Sequence, residues 1–144
     1  MHLQFRIEGK TELSRKFRGI STDVKNWKPQ MKKVGDYLIK VFSGPVFTSR
    51  GAEIGEPWKA RKDNNPWPLL QRTGKMRKSF KYQAQTAQVT ILNTTDYFKY
   101  HQSKQPRRKL PRRVMMKLDR ERKEGIIKIF HQRLVNQIIK KRYV

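Results

Sequence analysis

The chain contains no cysteine. Disulfides, thiolate metal sites and a thiol nucleophile are therefore excluded, and the composition fits a cytosolic life. Acidic residues are scarce: 11 Asp and Glu stand against 35 Lys and Arg. Histidine is scarcer still. His2, His101 and His131 are scattered, and none belongs to an HExxH-type metal spacing. No phosphate-cradling loop is present, because Gly51 to Gly55 lacks the GK[ST] that a P-loop requires. Long apolar runs are missing too. The stretch Met1–Arg6 lacks the apolar core of a signal peptide. No segment approaches the ~20 apolar residues that cross a bilayer. A soluble, intracellular protein with no cofactor, no metal and no membrane partner is expected.

What is present is positive charge. The formal net charge is +24 over 144 residues, and residues 104–144 hold half of it. Self-repulsion on that scale opposes compaction and calls for an anionic partner: nucleic acid, an acidic protein surface or an anionic membrane. High charge with 35% hydrophobic content leans toward disorder. The 10% aromatic content and the periodic apolar patterns lean the other way, toward one small folded domain spanning 1–144.

Leu3, Phe5 and Ile7 alternate with polar residues and predict a strand; Leu13, Phe17 and Ile20 predict a short helix from about Lys10 to Ser21. A second helix is predicted from Asn26 to Pro29 onward, with Met31, Val34, Leu38, Val41 and Phe42 as its apolar stripe. Gly44-Pro45 should break it. Residues 49–72 lose all periodicity and form a long loop carrying Trp58 and Trp67. Lys75 to Ser79 reads as a short turn before a hairpin, with Phe80, Tyr82 and Ala84 facing the core and the reversal near Gln85 to Ala87. Asp96 to His101 reads as a helical turn capped by Thr95 or Asp96. Val114, Met116 and Leu118 alternate and predict one more strand. Asp119 is placed to cap a last helix running to about Lys141, with Ile126, Ile127, Phe130, Leu134 and Ile138 inward. This order favours an α+β fold: a small, mostly antiparallel sheet of about four strands, packed with two or three helices and bearing long loops.

No catalytic set stands out, and an enzyme is not expected. Glu53 and Glu56 form a conceivable acid/base pair, but two loop carboxylates beside Arg50 and Lys59 more simply offset charge. The stretch 103–113 is the most basic, with Lys104, Arg107, Arg108, Lys109, Arg112 and Arg113 around Pro106 and Pro111. Phosphate contact is one use for it, and docking on an acidic neighbour is another. No helix-turn-helix, zinc finger or RNA-recognition signature accompanies it.

The middle of the chain resembles a known family. Gly51, Gly55-Glu56-Pro57-Trp58, Leu69-Leu70 and Thr73-Gly74-Lys75-Met76-Arg77-Lys78-Ser79 follow the pattern G..W…LL..TG.LR.S of the phage virion morphogenesis, or tail-completion, family. Val89-Thr90-Ile91-Leu92-Asn93 and Asp96-Tyr97-Phe98-Lys99-Tyr100-His101-Gln102 are similar to its V.I.N…YA.IHQ.G. Leu110-Pro111-Arg112-Arg113 resembles its (I/L)PAR segment. The landmarks run in the family's order over residues 30–140. Three features depart: the glycine usual after His-Gln is absent, since Ser103-Lys104 follow, Phe98 replaces a small residue and Arg112 stands where alanine is common.

The resemblance implies a non-enzymatic structural protein of a tailed bacteriophage, found in the virion and, during assembly, in the host cytoplasm. It would form a cyclic homo-oligomer, expected to be a hexamer, at the head-proximal end of the tail. Its partners would be the connector or adaptor and the tail tube or terminator, with DNA passing through the lumen as a further counter-ion. A tail terminator or minor tail protein is a neighbouring reading. A non-specific nucleic-acid-binding protein is the alternative from another class. For the ring contacts we expect Trp58 and Trp67 of the aromatic loop, and Arg107, Arg108, Lys109, Arg112 and Arg113 of the basic loop. Gly74, Ser79, His101, Gln102 and Pro111 are expected to shape the turns and to hold the basic loop in place.

Overall fold

Pro29 sits in the first turn of helix α1 (Lys28–Ser43), where its missing N–H has no intrahelical use. Met31, Val34, Leu38 and Phe42 recur at spacings of three and four and are buried, so one stripe of α1 forms the spine of the core. The helix stops where Gly44-Pro45 removes a donor, and a one-turn helix α2 (Pro45–Thr48) restarts at an angle, burying Val46 and Phe47. This is a computed structural model of the chain, and it describes residues 5–6, 26–104 and 110–142. The helix expected over Lys10–Ser21 lies outside the described residues, as do Arg107, Arg108 and Lys109.

The one-turn helix α3 (Lys75–Lys78) feeds the hairpin of β2 (Phe80–Ala84) and β3 (Val89–Asn93). Its register runs from Phe80 opposite Asn93 to Ala84 opposite Val89. The reversal is closed by Gln85 N–H donating to Gln88 C=O at 2.7 Å. Strand β1 (Phe5–Arg6) pairs antiparallel on the far side of β3, giving the sheet order β1-β3-β2. The face bearing Phe80, Tyr82, Val89 and Ile91 packs on α1. Phe80 links the layers, with edge-to-face contacts to Phe47 at 6.3 Å and to Phe98 at 5.7 Å.

Helix and sheet approach closely at Gly35, where a Cβ would lie 2.5 Å from the Tyr82 ring. Alanine gains about 1 kcal/mol of helix propensity but must push a ring, not a flexible tip. Gly35→Ala is therefore expected to destabilise by a net ~1–2 kcal/mol. A urea titration checks this; a more stable variant would mean the Tyr82 ring moves freely.

After β3 comes the short helix α4 (Phe98–Gln102), then an extended strap over 110–118, then the long helix α5 (Arg120–Arg142). Asp119 starts α5 by accepting Arg122 N–H on Oδ1 at 3.2 Å. Trp27 anchors the helix to α1, with its ring 5.3 Å from Phe130 and the Arg133 guanidinium 5.0 Å over its face.

The class is α+β, but three expectations need correction. Val114–Leu118 is not a fourth strand; among the described residues the sheet has three. The expected cap on α4 is absent, because the Thr95 hydroxyl donates to Asn93 Oδ1 at 2.6 Å instead. Ile127 is exposed, since its neighbour Ile126 takes the inward position and adjacent helical residues point about 100° apart.

Candidate functional site

The residues singled out from the sequence converge where the loop 49–72 meets the strap. The loop begins with a tight knot. Gly51 has φ +83°, and a Cβ there would lie 2.1 Å from Glu56 C=O. Its N–H donates to Val46 C=O at 2.8 Å, and its own carbonyl accepts Glu56 N–H at 3.0 Å. Trp58 N–H then donates to Arg50 C=O at 2.7 Å. The knot turns the chain back and drives Trp58 inward, 5.3 Å from Phe47 and edge-on to it. Its indole Nε1–H donates to Val114 C=O at 2.7 Å. Trp58 therefore belongs to the chain's own core, which corrects its assignment to a subunit contact.

Gln102 makes three hydrogen bonds to the strap. Gln102 Oε1 accepts the N–H groups of Met115 and Met116 at 2.8 and 3.1 Å, and Nε2 donates to Met116 C=O at 2.7 Å. These bonds take the place of the strand pairing that the alternation of 114–118 suggested. His101 contributes its carbonyl, which accepts Arg113 N–H at 2.9 Å. Arg112 stays exposed and donates from Nε to Gln102 C=O at 3.3 Å. Pro111 is half-buried at the head of the strap.

Arg113 turns inward, 6% exposed, and donates from Nε and Nη2 to Lys59 C=O, both at 3.0 Å. It is an internal tie rather than the surface contact expected for it. Burial lowers its pKa, and Arg61 beside it pushes the same way.

The motif 73–79 has local roles. Gly74, at φ +69°, opens α3, and Ser79 Oγ donates to Lys75 C=O at 2.6 Å. Arg77 donates from Nε to Ser43 C=O at 2.5 Å and from Nη1 to Gln71 Oε1 at 2.8 Å. It thus ties α3 to the end of α1 and to the loop. Asn93 closes the other side, donating to Met76 C=O at 2.7 Å. The sequence signal for Asn93 is an amide at the end of an apolar strand.

The carboxylates of the loop are ion-paired across the fold, not with Arg50 or Lys59. Glu53 meets Arg122 at 3.0 Å and Glu56 meets Lys117 at 2.7 Å. Arg122 is 1% exposed. Its Nε and Nη2 approach Asp119 and Glu121 at 3.3 and 2.6 Å as charge contacts without hydrogen-bond alignment.

The hydrogen bond from Lys117 holds the Glu56 carboxyl below its ordinary value. A depressed carboxylate stabilises the fold above the ordinary glutamate value of 4.5, and that contribution disappears as pH falls through the lowered value. At this exposure it is worth under ~1 kcal/mol. Glu56→Gln should flatten the fall in stability between about pH 5 and 3. Melts across that range compare the two slopes, and equal slopes would remove the pair from the account.

Trp67 stays at the surface, half-buried, with the guanidiniums of Arg72 and Arg61 5.2 and 6.0 Å from its ring centre. It stands in the wall of an open groove of about 410 Å³ between the loop and the strap. Among the described residues, no three His, Asp or Glu side chains gather as a metal site, and no helix is long and apolar enough to cross a membrane. Comparison with known proteins returns no match: no family model, no curated protein and no solved structure matches the chain.

Proposed function

We propose that this chain is a structural protein of a tailed-phage virion, a tail-completion or neck protein that closes into a ring at the head-proximal end of the tail. The observation that carries the reading is the use to which the motif residues are put. Gly51, Trp58, Arg77, Asn93 and Gln102 each hold a joint between two elements of the fold. A pattern of that kind marks a shape to be presented to neighbours, not a set of reacting groups. A closed ring needs two different patches on each subunit. With Trp58 and Arg113 internal, separate surfaces remain for this: the Trp67 face of the loop, the exposed Tyr97 and Tyr100 of α4, and the exposed Ile127 and Ile139 of α5.

The test is quantitative mass spectrometry of purified particles from the phage that encodes the chain. About six copies for each connector ring support the proposal. Absence from particles, with recovery on nucleic acid from infected cells, refutes it and favours the nucleic-acid binder. The +24 charge is the observation that keeps that second reading in play.

A further inference from the structure

The fold buries two arginines beside this junction and treats them differently. Arg122 is surrounded by the carboxylates of Glu53, Asp119 and Glu121. Arg113 is 6% exposed, and its guanidinium is bonded to a single neutral carbonyl, that of Lys59. Among the described residues no carboxylate lies within ion-pair distance of it. A buried cation without a close counter-ion is costly, by several kcal/mol before compensation, and the charge of Asp63, beyond ion-pair distance, offsets only part of that. Its environment makes matters worse, because Arg61, Lys59 and Lys62 line the same groove of about 410 Å³. The acid nearest at hand, Asp63, pairs with Arg61 at 3.6 Å and is itself 62% exposed at the rim. Such a cluster of like charges is stable when an anion enters from outside.

We infer that this groove, walled by Lys59, Arg61, Lys62, Trp67, Pro111 and Arg113, binds the phosphate backbone of nucleic acid. Two observations favour a phosphodiester chain over an acidic protein. First, the cations do not end at the groove. Arg72 continues the line across Trp67, and Arg112 follows on the strap. A nucleic acid offers charge at regular short intervals along its whole length, whereas an acidic protein patch is finite. Second, positive charge is spread through the chain, half of it outside 104–144, as suits a polyanion lying across the surface. The guanidiniums of Arg61 and Arg72 stand 6.0 and 5.2 Å from the Trp67 ring centre, so the contact expected is with backbone charge and not with sequence. This inference does not depend on the chain being a virion protein.

The experiment uses the full chain and a fluorescein-labelled short duplex DNA, with binding followed by anisotropy over a salt series. Lys59→Ala/Lys62→Ala is the groove variant. Both side chains are exposed, and the Lys59 carbonyl that holds Arg113 is untouched. Lys32→Ala/Lys33→Ala, on the solvent side of α1, removes the same charge elsewhere. Losing two phosphate contacts should lower the slope of log K against log salt by about 2 and weaken binding about tenfold or more at low salt. The control should change affinity by less than about twofold, and DNA of different sequence should bind alike. Equal losses in both variants overturn the inference, because binding then follows net charge alone. A polyglutamate peptide is the second probe. If it binds more tightly than DNA and is lost in the groove variant, the site belongs to an acidic protein and the inference fails.

Discussion

Gln102→Leu is expected to lower the free energy of unfolding by about 3–5 kcal/mol, against the roughly 5–15 kcal/mol that domains commonly have. The side chain is 6% exposed and completes three hydrogen bonds to the strap. Leucine fills the space but leaves two N–H groups and one C=O without partners, each costing ~1–3 kcal/mol when buried. Water entry will recover part of that, hence the lower bound. Gln102→Glu separates acceptor from donor. Its carboxylate still receives Met115 and Met116 but has nothing to donate to Met116 C=O, and a protonated carboxyl regains both functions. The glutamate variant should therefore cost less than leucine, and least in acid. Urea titrations of the three proteins give the comparison. A loss below ~1 kcal/mol for leucine would mean that the Trp58 and Arg113 anchors hold the strap without Gln102.

The second large effect is expected at Arg122. Arg122→Met preserves most of the volume but removes the cation that Glu53, Asp119 and Glu121 surround. Breaking a buried pair costs ~3–5 kcal/mol when the remaining charge stays buried. Here Glu53 is 36% exposed and Glu121 72%, so they can turn to water, and about 2–3 kcal/mol is expected. The double variant with Glu53→Gln should recover about 1 kcal/mol or more of that loss. Strict additivity of the two changes would show that the pair contributes only packing.

The helix α1, the break at Gly44-Pro45, the hairpin and the start of α5 were legible because each follows from local rules. These are apolar period, a missing donor and a capping carboxylate. The strap was not. Val114, Met116 and Leu118 alternate as a strand does, but Met115 is buried as well. Periodicity cannot reveal that a distant glutamine, rather than a neighbouring strand, satisfies the backbone. Trp58 was ambiguous for a similar reason: a loop without period does not say which way its side chains point. Arg113 looks like its basic neighbours in sequence, and the carbonyl of Lys59, 54 residues away, sets it apart from them. The Glu53–Arg122 pair spans 69 residues and leaves no pattern in the sequence. Scarcity was the available hint: with 11 carboxylates among 35 cations, each acid has many partners from which to be recruited.

The strap has a bearing on how the molecule comes apart. A segment outside any ladder opens when its few anchors release, and here the anchors are shared. Freeing Gln102 from Met115 and Met116 slackens Val114, and with it the indole of Trp58. Arg113 then slips from Lys59, and the wall of the groove is lost with it. Strap and tryptophan loop should thus exchange their amide hydrogens together, at a lower free energy than α1 and the hairpin. An anion seated in the groove would slow that exchange at Met115 and Met116, amides it need never touch.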